Sequence, residues 1–158
     1  MAKKILKLRN QIDVRKNMLN NKIIKFDEHK KWMNSLIKNS LNYLYVISIK
    51  ENVSGVLRFT KLNENEVEWS FYLDKKYQKI YGSYVEYLSL VKMFKLKNIT
   101  NIKCKVFDFN LNVISLHKKF GFKIEATKRL QKRKLIYFNL PKETWAFKSK
   151  EIKKKLRI

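Results

Sequence analysis

Between Phe109 and Phe122 the chain reads Phe-Asn-Leu-Asn-Val-Ile-Ser-Leu-His-Lys-Lys-Phe-Gly-Phe, a stretch that allows little besides one short, sharply bounded helix. Asn110 stands at the cap, where a short polar side chain meets backbone donors that have no partner in the first turn. Gly121 stands at the other end, where glycine enters the left-handed conformation without penalty. Leu111, Ile114 and Leu116 supply an apolar face, and His117 follows Asn110 by seven residues, or two helical turns, so the two share a side. The alternating strand Ile102-Lys103-Cys104-Lys105-Val106 precedes this helix and makes the segment a strand-to-helix unit.

The rest of the chain reads as alternating layers. Residues 3–18 suggest a first helix with Ile5, Leu8 and Ile12 on one face, and Asp27 opens a second carrying His29, Trp32, Met33 and Leu36. The period then changes to two. Tyr43–Ile49 and Val53–Thr60 read as strands joined by Lys50-Glu51-Asn52, and Val67–Leu73 as a third with Val67, Trp69, Phe71 and Leu73 on one side. Gly82-Ser83 is expected to open a long helix, and two further strands are expected near Lys123–Glu125 and Leu135–Leu140, closed by Pro141. The order is α-α-β-β-β-α-β-α-β-β, an α/β fold with a mixed central sheet flanked by helices. The expected organisation is one domain over residues 1–142 and a basic tail, open to helix, over 143–158.

Composition narrows the class. The 158 residues include only three Gly and one Pro, with 45% hydrophobic content, which excludes a disordered or linker-rich chain. No apolar run reaches the roughly 18 residues of a membrane span, and Met1–Arg9 is too interrupted by charge for a signal peptide. The single cysteine, Cys104, excludes an internal disulfide framework and suits a reducing, cytoplasmic setting. Net charge is +24, yet all but six of the 37 basic residues are Lys, spread over every segment. That pattern points first to a solvated surface and next to an anionic small-molecule site, because readers of nucleic acid lean on the bidentate grip of Arg. Dedicated nucleic-acid binding is not expected.

The spacing N-x-x-V-x-x-L-H-x-x-x-G-F from Asn110 to Phe122 resembles the pantetheine-side helix of the Gcn5-related N-acetyltransferases, and the element order is similar to theirs except that the usual first strand is absent. The resemblance implies an enzyme moving acetyl from acetyl-CoA to a primary amine, without a metal, as a monomer or homodimer. It implies a cofactor side formed by the strand edge at Tyr72 and Leu73, a phosphate turn at Lys79, Ile80, Tyr81, Gly82 and Ser83, and Asn110. This turn departs from the family's glycine-rich pattern, since Ile80 occupies a position where glycine is usual. His117 stands where the family's acid is usually Tyr, and Lys105 where many relatives carry a catalytic Glu. Glu68 is then the candidate base, or else a partner for one of the many lysines, and Cys104 reads as core.

Two N-terminal stretches, R-N-x-x-x-V-R-x-x-M from Arg9 and H-x-x-W from His29, resemble the branch of that family that acetylates nucleotide-activated amino sugars, as in pseudaminic acid synthesis. That resemblance places Arg9, Asn10, Arg15 and His29 on the acceptor side, where Arg would suit a diphosphate. Two other readings stay open. One is an acetyltransferase of proteins or peptides on the same fold; the other is a catalytically impaired module for an anionic partner.

Overall fold

The computed structural model describes residues 1–158 other than Lys97 and Gln131. Three helices come first: α1 (Ala2–Arg9), α2 (Ile12–Arg15) and α3 (Phe26–Lys38). Strands β1 (Asn42–Ile49), β2 (Asn52–Lys61) and β3 (Glu66–Leu73) follow, then α4 (Lys75–Phe94), β4 (Asn101–Phe107) and α5 (Leu111–Phe120). The chain closes with β5 (Lys123–Leu130), β6 (Arg133–Pro141) and α6 (Lys142–Leu156). The strands are ordered β1-β2-β3-β4-β6-β5, a mixed sheet in which β3 and β4 run parallel and the pairs β1/β2, β4/β6 and β5/β6 antiparallel. Among the described residues no helix is long and apolar enough to cross a membrane.

The chain divides into two compact units: Met1–Thr60 with Ser70–Gly82, and Lys61–Trp69 with Ser83–Ile158. In the first, Ile5, Leu8, Val14, Val56, Leu57, Phe59 and Leu73 are buried. The single first helix expected over 3–18 is broken at Gln11, whose backbone is extended (φ −58°, ψ 138°), so α1 and α2 are separate. Strands β1 and β2 meet at Lys50 and Glu51, both with positive φ (49° and 63°), the backbone of a two-residue hairpin turn that matches the strand twist. Gly55 permits a close approach: a Cβ there would lie 2.3 Å from the Tyr72 carbonyl oxygen and 2.8 Å from a Leu73 methyl.

In the second unit the core joins Leu90, Met93 and Phe94 of α4 to Ile102, Cys104 and Val106 of β4, and to Phe138 and Leu140 of β6. The segment expected to be a tail is helix α6, which buries Trp145 and Ile152. Trp145 stacks on Phe94 and Phe120, with ring centres 6.4 and 6.2 Å away. Helix α5 ends as its composition dictates. Gly121 is left-handed (φ 97°), the Phe122 N–H donates to the His117 carbonyl, and the Gly121 N–H to that of Lys118. At the other end the Asn110 side chain makes no capping bond, and its carbonyl accepts from Ile114 N–H at 3.1 Å.

Candidate active site

In the second unit β3 and β4 pair in parallel from Glu66↔Asn101 to Glu68↔Lys103, and β4 runs on to Phe107. Alternation sends neighbouring residues to opposite faces. On one face the carboxylates are bound by lysines. Glu68 Oε2 lies 2.5 Å from Lys105 Nζ, and Lys103 Nζ sits between Glu66 (3.4 Å) and Glu125 (3.2 Å). Glu68 therefore has the lysine partner that the sequence left open, and the partner is the residue standing at the family's usual glutamate position.

The opposite face carries Trp69 and Cys104 into the core, where they meet His117. This histidine is 3% exposed, and its Nδ1 lies 2.8 Å from Oε1 of Glu86, which is wholly buried. Trp69, Phe122 and Phe138 surround the imidazole at ring distances of 5.3, 5.0 and 5.7 Å, and Cys104 hydrogen-bonds it. Burial works to lower the His117 pKa, but the Glu86 charge and the Cys104 thiol outweigh it and hold the group up at about 10. Burial also pushes the Glu86 carboxyl up, so the pair keeps a shared proton into the alkaline range.

This corrects the expectation that His117 faces the cofactor as an acid: it is sealed behind aromatic rings, with its proton held by Glu86. Glu86 is not among the candidates the sequence points to. Its signal was a carboxylate three residues before Ser89 and four before Leu90, on the buried side of α4.

The expected phosphate turn is helix. Helix α4 begins at Lys75, seven residues before Gly82, so Lys79, Ile80, Tyr81, Gly82 and Ser83 lie in its second and third turns. Ile80 explains the difference, because a β-branched residue resists the positive φ that would interrupt the helix. Asp74 supplies the start: its Oδ1 accepts from Lys76 N–H at 3.2 Å and its carbonyl from Tyr77 N–H at 2.9 Å. The helix terminus thus holds its own carboxylate in place of a backbone nest for phosphate.

Other features of this segment suit a diphosphate. Lys75, Lys76 and Lys79 are exposed cations, and a Cβ on the buried Gly82 would meet nothing within 4 Å, which leaves open space beside the helix. Tyr72 is half-buried, and burial pushes its phenol up. Leu73 is buried, and its carbonyl accepts from Gln78 Nε2 at 2.9 Å.

The N-terminal candidates separate into two kinds. Asn10 clamps Ile24 through two bonds, Nδ2 to the carbonyl at 2.9 Å and Oδ1 from the N–H at 3.0 Å. Arg15 donates to the carbonyls of Asn10 (3.0 Å) and Asn21 (2.9 Å). Both side chains are spent on backbone, which accounts for their place in the motif without a ligand. Arg9 donates to the Asn20 carbonyl through Nη2, but its Nη1 is buried without a partner, as is Nε2 of His29. His29 is buried, stacks on Trp32 at 5.4 Å, and has its pKa lowered by burial and by Arg9.

A family model described as an acetyltransferase (GNAT) domain matches residues 2–139. No curated protein matches the chain. Among solved structures, a protein of Bacillus halodurans is similar with a TM-score of 0.83 and 12% identity, over 95% of this chain and 83% of that one. The spermidine N-acetyltransferase of Vibrio cholerae, solved with CoA and spermine, has a TM-score of 0.79 and 16% identity over 89% of each chain. An N-acetyltransferase of Staphylococcus aureus has a TM-score of 0.72 and 21% identity, over 89% of this chain and 92% of that one. At these identities the structural likenesses carry the fold alone; the family rests on the domain match, which spans both units and the Asn110–Phe122 helix: the chain belongs to the GNAT acetyltransferases, enzymes that use acetyl-CoA to acetylate amines.

Proposed function

We propose that the acceptor is an anionic amine, a UDP-linked amino sugar, which attacks the thioester of acetyl-CoA directly. The observation that carries this reading is the chain's net charge of +24. Beside Glu68 the lysines Lys103 and Lys105 are matched by Glu66, Glu68 and Glu125, and the positive excess of this face lies in Lys128, over the Tyr137 ring, and Arg133. Such a field draws in a diphosphate and repels a polyamine such as the one bound by the Vibrio relative. A peptide amine would likewise be better served by an acidic groove.

Glu68 is the proposed base. Its Oε2 is bound by Lys105, so proton removal from the amine falls to Oε1, directly or through one water. The departing thiolate takes its proton from solvent, since the His117 proton is held in the core by Glu86. Acetyl-CoA supplies the activated acyl group. Lys75, Lys76 and Lys79 would hold its diphosphate beside Gly82, and the Tyr72 backbone would pair with its pantetheine arm. In the second unit Asn110, whose side chain makes no capping bond, is kept as a cofactor contact, and in the first unit Arg9 and His29 as acceptor contacts through their unpartnered atoms.

The test is thiol release from acetyl-CoA with a panel of UDP-amino sugars, spermidine and N-terminal peptides. A UDP-amino sugar should give the highest kcat/KM. Preference for spermidine or for a peptide would overturn the proposal.

A further inference from the structure

The sheet face of the second unit that carries Lys105 has a second feature, built by the β5–β6 hairpin. Register sets Lys105 opposite Tyr137, Phe107 opposite Leu135, and Leu135 opposite Lys128, so Lys105, Phe107, Lys128, Arg133 and Tyr137 project to one side. Two stacks form there. Tyr137 lies under Lys105 and Lys128, whose ammonium groups are 5.6 and 5.2 Å from the ring centre. The Arg133 guanidinium lies 5.2 Å from the Phe107 ring and 5.7 Å from Phe109, and those two rings stack at 5.4 Å with an 11° interplanar angle.

Simple solubility does not require this arrangement. Surface lysines ordinarily extend into water, whereas these cations are laid against aromatic rings. The nearby carboxylates Glu66, Glu68 and Glu125 are held by Lys103 and Lys105, which leaves Lys128 and Arg133 as the cations open to a ligand on this face. Phe109 is 48% exposed although its ring rests on buried Phe107. A half-open aromatic ring fixed by a stack, beside cations fixed by rings, is complementary to a flat base followed by phosphates.

We infer that this face binds a nucleoside diphosphate, with the base on Phe109 and the phosphates on Arg133 and Lys128. The inference rests on the proposed function in one respect, that the nucleotide is the carrier of the acceptor sugar.

Calorimetry with UDP and with inorganic pyrophosphate tests it. UDP should bind about tenfold tighter than pyrophosphate, the worth of one stacked base. Phe109→Ala should weaken UDP about fivefold or more and leave pyrophosphate within about twofold, whereas Arg133→Lys, which keeps the charge but removes the planar fork, should weaken both. Lys154→Ala on α6 should change neither.

Equal binding of UDP and pyrophosphate, or an unaltered UDP affinity in Phe109→Ala, would reduce the face to diffuse charge and overturn the inference. Competitive displacement of UDP by 3′-phosphoadenosine 5′-diphosphate would overturn it too, by giving the nucleotide to the cofactor. Turnover of a UDP-amino sugar with unchanged KM in Phe109→Ala would sink this site and leave the proposed function standing. The expected binding pattern without any UDP-amino sugar turnover would do the reverse.

Discussion

His117 Nδ1 and Glu86 Oε1 meet 2.8 Å apart in the core of the second unit, joining α5 to α4 across thirty-one residues of sequence. The pairing turns the position of an acid into a structural bond. It also sets a pH signature, because the folded His117 pKa of about 10 stands above its ordinary 6.5. Stability from this group is fully present below pH 6.5 and is lost as pH rises through 10.

Denaturant unfolding between pH 6 and pH 10.5 therefore should show wild-type stability falling across that window. Glu86→Gln should remove most of the slope and cost about 3–5 kcal/mol at pH 6, as for a buried ion pair that loses one partner. An identical slope in the variant would contradict the assignment.

The glycines of the first unit give opposite expectations. Gly55→Ala should destabilise by about 1–3 kcal/mol or more, since its Cβ would lie 2.3 Å from the Tyr72 carbonyl oxygen. Gly82→Ala meets nothing within 4 Å and sits inside α4, so it should stabilise by up to about 1 kcal/mol. The same Gly82 change should weaken acetyl-CoA if the space beside the helix holds the diphosphate. Urea midpoints and cofactor titration separate the two effects.

Glu68→Gln should lower kcat by about a hundredfold while leaving the acetyl-CoA KM within about twofold, the pattern for a lost general base. Lys105→Met removes the ion pair at 2.5 Å and should raise the KM of an anionic acceptor more than it changes kcat. Steady-state kinetics on both variants checks this split.

Asn10→Ala removes both bonds to Ile24 and should cost about 1–3 kcal/mol. Limited proteolysis should then cut within residues 17–25 faster than in the wild type.

Where one residue's own chemistry decided the outcome, the fold was legible. Gly121 announced the end of α5, and the alternation of Ile102 to Val106 announced β4. The start of α4 is less legible, because Gly82-Ser83 also offers a place for a helix to open. No proline stands between Asp74 and Ser83, and a lone Gly82 is tolerated inside a helix, so the helix runs back to the first available cap. Asp74 followed by Lys-Lys-Tyr-Gln carried that signal.

The site was less legible, because its bonds are between distant residues. Nothing near His117 in sequence points to Glu86, and Asn10 and Arg15 bond to main-chain atoms, which leave no trace in side-chain identity. The stacking of Arg133 on Phe107 and Phe109 is invisible for the same reason: it depends on register between strands.

The way residues 17–25 are held has an evolutionary consequence. Arg9, Asn10 and Arg15 grip the main chain at Asn20, Asn21 and Ile24, and none of those bonds reads the side chain it anchors. Substitutions along this stretch can therefore accumulate while its path is kept. A lineage could change the surface this segment presents by point mutation, with the anchoring trio unchanged.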